Sequence, residues 1–370
     1  MRILLVLRVP PYFDQFRAND EVIPARQFQV YWLQALKRLG QTVRVFRYTD
    51  SVVFPNDWRI KSELGWERRW TGSYHKFRQV INRGYRLNPE NWVRAVRLWR
   101  LIKSFRPEII IVGSGVSELV AFPFWRAKAR GVKLALLSGE DPLNSATAFE
   151  RQQVKLFDII VANDPVHAQH WLKLKARRAL AVPYAGIEPA VHRKYELTSG
   201  ERGKFGSDVV FIGSLLTDRQ KILAQLVSRF RLRVFGYLPP RVELLAALRQ
   251  VYGGEAWGKE AAKIYNGAKM AINFVPKHMP IGGNLRTFEI PGCGTVELAE
   301  RCKPEWYQDR REVFIFRSLE ELIKLTSNLL DQPDRRKLVA EAGYRRTQRE
   351  HTYGKRFGKI IDLLRRVDEV

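Results

Sequence analysis

Cysteine is nearly missing from this chain: Cys293 and Cys302 are the only two. Two thiols give no framework for a disulfide-stapled scaffold, and without a CxxC pair they point to a reducing compartment. The six histidines are scattered, and no His/Cys cluster stands at metal-ligand spacing. Long apolar runs are also missing; none approaches the roughly 18–20 residues that cross a bilayer. The opening MRILLVLRVPPYF has the look of a signal peptide, but its apolar part stops at Arg8, too early for an h-region, and it reads as a first strand. Acid is scarce: 38 Asp and Glu against 64 Lys and Arg, a net charge of +26. That excess favours a polyanion as partner, whether membrane surface, nucleic acid or anionic glycan, and does not choose among them. A basic host background with no such partner is the alternative.

What is present is a pattern. With 370 residues and 45% hydrophobic side chains, the chain is long enough for two cored domains. Short runs that are apolar throughout, as in parallel strands buried on both faces, occur at 2–7, 42–48, 108–113, 132–137, 158–162 and 179–183. A second set follows at 208–213, 231–236, 254–258, 269–275, 294–298 and 312–316. Helical stretches alternate with them. Gly40 stops the first, Asp164 and Pro165 open another, and Ser318 with Glu321 forms a capping box. The expected fold is α/β, with two doubly wound Rossmann-like domains facing across a cleft. The expected division is 1–190 and 191–351, with polar linker 188–208 and a C-terminal helix, 352–370, returning to the first domain.

Residues 56–106 break the alternation. They are basic and hold Trp58, Trp66, Trp70, Trp92 and Trp99. WVRAVRLWRLIKSF sets Val93, Val96, Trp99 or Arg100, and Ile102 or Lys103 at helical spacing, a stripe expected to pack on the first sheet. The opposite face is either simply solvated or docks on anionic lipid or a charged acceptor.

Two motifs carry chemistry. In FIGSLLTDR, Gly213 and Ser214 stand where a strand turns into a helix, so backbone N–H groups can approach a phosphate, and Arg219 can pair with a diphosphate. In GGNLRTFEIPGCG, Gly283 lies in a flexible loop, and Asn284, Arg286 and Thr287 can donate to phosphate or sugar. Glu289 heads a short helix, and its carboxylate suits vicinal ribose hydroxyls. The alternative is that the helix N-terminus or Arg286 satisfies it. Tyr237 or Trp257 is placed to stack on a base.

Residues 205–365 resemble the nucleotide-binding domain of GT-B glycosyltransferases, in particular the CgeB-like group related to glycosyltransferase group 1. VVFIGSL with its Arg, FGY, GKEAAKIYNGAKMAINF, LRTFEIPGCG and the closing helices ending in His-Thr-Tyr carry the likeness. Group-1 enzymes often have two glutamates separated by seven residues, the spacing of Glu289 and Glu297. The GCG turn follows Glu289, however, so Glu289 resembles the second, ribose-binding glutamate. The first would fall on Ile281, and Gly282 to Asn284 would stand in with backbone groups. Glu297 reads as a strand-end residue.

The resemblance implies a nucleotide-sugar donor of unspecified base, no further cofactor and no metal, and retention. The acceptor hydroxyl would belong to a glycan, a lipid-linked molecule or a protein. In the N-terminal half, Glu140 and Asp141 are the catalytic candidates, a general base if the enzyme inverts; Asp141 alternatively just caps the helix opened by Pro142. Arg8, Tyr12 and Asp14 are acceptor-side candidates. The expected place is cytoplasmic, held at the inner membrane face. Nucleic acid as acceptor, and a non-catalytic binding protein on the same fold, are the competing expectations.

Overall fold

The computed structural model describes residues 1–8, 29–48, 85–116, 118–183, 185–239, 241–281 and 283–366. Tyr12, Asp14, Gly282 and residues 56–84 of the tryptophan-rich stretch lie outside them. The described residues fall into two compact units, within Met1–Gln15, Leu36–Tyr184 and Phe357–Val370 for unit 1, and within Phe16–Ala35 and Ala185–Arg356 for unit 2.

Unit 1 runs through β1 (Arg2–Leu7), α1 (Gln29–Arg38, whose Gln29–Ala35 part counts with unit 2), β2 (Thr42–Arg47), α2 (Pro89–Phe105), β3 (Ile109–Gly113) and α3 (Phe122–Lys128). It continues with β4 (Lys133–Ser138), α4 (Pro142–Ser145), α5 (Ala148–Gln152), β5 (Ile159–Ala162), α6 (Pro165–Lys173) and β6 (Ala179–Ala181). The six strands form one parallel sheet in the order β2-β1-β3-β4-β5-β6. Its inner strands are buried on both faces, which is why they read as continuous apolar runs. Asp164 caps α6 through the Val166 N–H, and Pro165 takes the first helical position.

Unit 2 opens with α7 (Ser199–Phe205), then β7 (Ser207–Ile212), α8 (Thr217–Val227), β8 (Leu232–Phe235), α9 (Gly258–Gly267) and β9 (Ala268–Asn273). There follow α10 (Arg286–Gly292), β10 (Val296–Ala299), β11 (Phe314–Ile315), α11 (Leu319–Leu330), α12 (Pro333–Glu350) and α13 (Tyr353–Arg365, crossing into unit 1). Its five parallel strands are ordered β11-β10-β9-β7-β8. Alternate residues of β7 serve two cores: Val209 and Phe211 pack on one side, Val210 and Ile212 on the other.

Four local expectations are corrected. Residues 254–258 form no strand, because Gly254 and Gly258 both take positive φ and only Tyr252 bridges to Val234. The polar stretch 188–208 is no loose linker. Glu188 and His192 are buried in it, and a capping box of Thr198 and Glu201 starts α7. At α11, Ser318 accepts from the Glu321 N–H, but the Glu321 carboxylate takes the Arg317 N–H, so the box is half made. On α2 the buried face is Asn91, Arg94, Ala95, Leu98, Ile102 and Phe105. Val93 and Val96 face solvent instead of the sheet.

Candidate functional site

In unit 2 the chain reverses its direction of travel across the sheet at β7, which pairs with both β8 and β9. The crevice outside the carboxyl ends of two such strands is where open α/β sheets bind ligands. Gly213 and Ser214 end β7 there, and Phe274 follows β9.

The glycine works differently from expectation. The Gly213 N–H already donates to the Phe235 carbonyl at 3.0 Å. A Cβ on Gly236, whose φ is +125°, would lie 2.0 Å from the Gly213 oxygen. The glycine pair therefore lets the ends of β7 and β8 touch, and the Gly213 amide is not available to a phosphate. Arg219 does the joining across the crevice. Its Nη1 donates to the Ser214 carbonyl and its Nη2 to the Phe274 carbonyl, each at 3.2 Å. Burial pulls its pKa down, against Asp218 and Glu300. Among the described residues no carboxylate comes within ion-pair distance, and the Nε hydrogen and one on each Nη are left over. Nearby, α8 has Leu216 at its N-cap, which makes no side-chain hydrogen bond to the first turn.

The second motif is built more tightly than its sequence suggests. The Asn284 amide nitrogen donates to Asn273 Oδ1 (2.9 Å) and to the Phe274 carbonyl (3.1 Å), and its Oδ1 accepts the Thr287 N–H (3.1 Å). Thr287 Oγ1 accepts from Asn273 Nδ2 at 3.1 Å. A Cβ on Gly283 would meet Thr287 Oγ1 at 2.7 Å, so the loop closes only with glycine there. Arg286 Nε donates to the Ile212 carbonyl at 3.1 Å, its Nη1 pairs with Glu289, and its guanidinium lies over the Trp257 ring at 5.5 Å. Asn284 and Thr287 thus bond to each other and to Asn273 and Phe274, and Arg286 to Ile212 and Glu289. They shape the site.

Glu289 is the fourth residue of α10, buried, with Oε2 on Arg286 and Oε1 3.5 Å from His192 Nε2. Burial alone would raise its pKa; Arg286, then His192, outweigh that and hold it down at about 2. Of the two alternatives the sequence left open, the arginine pair is present. The Glu188 N–H donates to His192 Nδ1 at 3.1 Å, which leaves the ring proton on Nε2, facing Glu289. The Tyr31 ring meets the His192 ring edge-on at 5.5 Å and stacks with Tyr353 at 5.7 Å. Sequence reasoning missed His192, Glu188 and Tyr31. The only available signal was Glu188 and His192 four apart in a stretch taken as linker.

Glu297 is no strand-end residue. It is fully buried within β10, between β9 and β11. Its Oε1 accepts from Asn273 Nδ2 at 2.7 Å, the same amide that reaches Thr287. Its Oε2 has no hydrogen-bond partner among the described residues, and burial pushes its pKa up to about 8. Tyr237 ties the crevice by its backbone, accepting the Leu215 N–H at 2.8 Å.

In unit 1, Glu140 is exposed just past β4. Asp141 caps α4 through the Leu143 N–H, and the same oxygen lies 2.8 Å from His170 Nδ1. Burial would raise the Asp141 pKa, but His170 and the Leu143 N–H lower it overall. Arg8 pairs loosely with Glu118 at 3.8 Å. Glu150, unforeseen, takes the Gly115, Val116 and Thr147 N–H groups at 2.6, 3.3 and 2.9 Å, shaping the turn after β3. Among the described residues no group of three or more His, Cys, Asp or Glu side chains could hold a metal ion, and no helix is long and apolar enough to cross a membrane.

Residues 219–362 match the family model described as glycosyl transferase-like. Sucrose-phosphate synthase from Thermosynechococcus elongatus superposes with a TM-score of 0.62 at 12% identity, over 100% of this chain and 99% of that one. A glycosyltransferase from Rickettsia africae gives 0.63 at 13%, over 99% and 98%. The fold is GT-B. HepE of Anabaena, in complex with UDP-glucose, gives 0.59 at 11% over 98% and 99% of the two GT-B chains. No curated protein sequence matches the chain.

Proposed function

We propose that this GT-B protein is a glycosyltransferase that takes a sugar from a nucleotide-sugar donor and places it on a hydroxyl. The observation that carries the proposal is Arg219: a half-buried cation with no carboxylate within ion-pair distance among the described residues, at the strand reversal of a GT-B unit. Its remaining N–H groups are suited to a diphosphate and would stabilise the charge that builds on the leaving nucleotide. No metal is needed for that role. Glu289, kept ionised and aimed by Arg286 and His192, would accept the ribose hydroxyls through its remaining lone pairs. Trp257, or Tyr237, would stack on the base. The structure of HepE with UDP-glucose makes UDP the first donor nucleotide to try.

Asp141 and Glu140 are proposed for the acceptor chemistry. In an inverting reaction Asp141 would draw the proton from the acceptor hydroxyl; in a retaining one, the outcome we favour by resemblance, it would orient that hydroxyl. The acceptor would be a glycan, a lipid-linked molecule or a protein, met on the cytoplasmic side of a membrane.

Thermal-shift titration with UDP, GDP, ADP, TDP and CMP tests the donor site. One nucleotide at about 100 times its dissociation constant should stabilise wild type by about 2.7 kcal/mol. Arg219→Gln, which keeps donors for both carbonyls and loses the charge, should fold and require at least tenfold more of that nucleotide. If no nucleotide or nucleotide-sugar shifts wild type, the non-catalytic reading replaces this one.

A further inference from the structure

We propose that the α2–α3 face of unit 1 docks on an anionic lipid bilayer. It is a surface function, separate from donor binding.

The starting point is the misfit between α2 and its own apolar stripe. Leu87 is 86% exposed, Trp92 47%, Val93 40% and Val96 39%; on neighbouring α3, Trp125 is 53% exposed. Scattered single apolar residues on a surface are ordinary. These are grouped on two helices that pack together, with Leu87 in the turn just before α2, and Trp92 is held in place. The Trp92 ring stacks on Phe122 with centroids 5.9 Å apart, and its indole N–H donates to the Arg86 carbonyl at 2.7 Å. With that N–H satisfied inside the protein, the outer side of Trp92 can leave water at no hydrogen-bonding cost. The Trp125 indole makes no hydrogen bond among the described residues, so its N–H is left for an interfacial acceptor.

Charge identifies the occupant. Arg97, Arg100 and Lys103 follow Val93 and Val96 along the exposed side of α2, and Arg126 and Arg130 line α3 and its end. None of the five has an acidic ion-pair partner among the described residues. Arg130 lies over the Trp99 ring at 4.4 Å and Arg126 at 5.7 Å, so both cations are carried at the apolar surface. The acid of α2, Glu90, is spent on Arg94 at 2.7 Å. Exposed aliphatic and indole groups, flanked by long cationic side chains that can snorkel, match the boundary of acyl chains and anionic headgroups. A nucleic-acid surface would use the same cations, but it has nothing to offer Leu87, Val93 and Val96.

The experiment is flotation of the full chain with phosphatidylcholine vesicles, with and without 30% phosphatidylglycerol. Wild type should bind the anionic vesicles at least tenfold more tightly than the neutral ones, and salt should weaken but not abolish the binding. Arg97→Glu with Arg100→Glu should cost at least tenfold on anionic vesicles. Trp125→Ala with Val96→Ser should cost a similar factor at low salt, where the charges are intact. All these side chains are exposed, so the variants should melt with wild type and keep its nucleotide response. Equal binding by wild type and both variants overturns the proposal. So does no vesicle binding, or binding to a single-stranded oligonucleotide that the vesicles fail to displace. A nucleotide-independent protein that still floats would defeat the donor-site reading alone.

Discussion

Glu289→Ala lowers the unfolding free energy by about 3–5 kcal/mol at pH 7, the usual cost of removing one member of a buried ion pair. Arg286 is largely covered by Ile212, Trp257 and α10, its side chain 13% exposed, and its charge would be left with a carbonyl and an aromatic face. His192 would lose the acceptor for its Nε2 proton. Urea unfolding measures the loss. Its pH dependence reports the cause. The folded carboxyl sits near 2 and the ordinary value is 4.5, so the stabilisation is full above 4.5 and fades as pH falls towards 2. Wild type and variant should converge in that acid window. If the gap persists there unchanged, the loss comes from packing and the ion pair contributes nothing. Arg286→Met with Glu289→Leu should recover most of the stability, because both charges leave together. It should not recover a response to nucleotide.

Glu297→Gln shows the opposite pH behaviour. The folded carboxyl holds its proton up to about 8, while the unfolded chain releases it near 4.5. Between those values the folded protein binds one proton more than the unfolded chain. The contribution of Glu297 is therefore full below 4.5 and is lost as pH rises towards 8. Glutamine cannot ionise and keeps an acceptor for Asn273. Its stability relative to wild type should rise by about 1.4 kcal/mol for each pH unit across that window, a total of a few kcal/mol. The constant offset, from an amide put where Oε2 now stands unpaired, is read below pH 4.5 and subtracted. Parallel curves for the two proteins would mean that Glu297 is ionised in the fold and has a partner for its second oxygen. Because Asn273 also holds Thr287 and Asn284, Glu297→Leu should loosen the loop before α10, seen as faster amide exchange at Thr287.

Much of the architecture is legible before any coordinates. Parallel strands covered on both faces must be apolar throughout, so Ile109–Val112 and Ile159–Ala162 announce themselves. Local chemistry is equally readable where partners are two to four residues apart: Asp164 capping α6, Ser318 capping α11, Arg286 as one candidate partner of Glu289. The misreadings share a different feature. Val93 and Val96 have the hydrophobicity of a buried stripe, but a helix is free to rotate about its axis until its neighbours decide which side is covered. Residues 188–208 look like linker because they are polar and show no apolar period. The contact of His192 with Glu289 forms only after the chain has returned through α10.

The linear order of residues by itself determined the two α/β halves and most strand and helix positions, and it offered the Arg286–Glu289 pair as one alternative. Each of these depends on periodicity or on neighbours within a helical turn. Tertiary structure alone decided that β7 lies between β8 and β9, which puts Arg219 across a crevice. It also decided that Gly213 gives its amide to a strand end and that Glu297 is buried beside Asn273. Those outcomes depend on strand order and on desolvation. Both are properties of segments brought together from far apart in the chain, and no short window of sequence contains them.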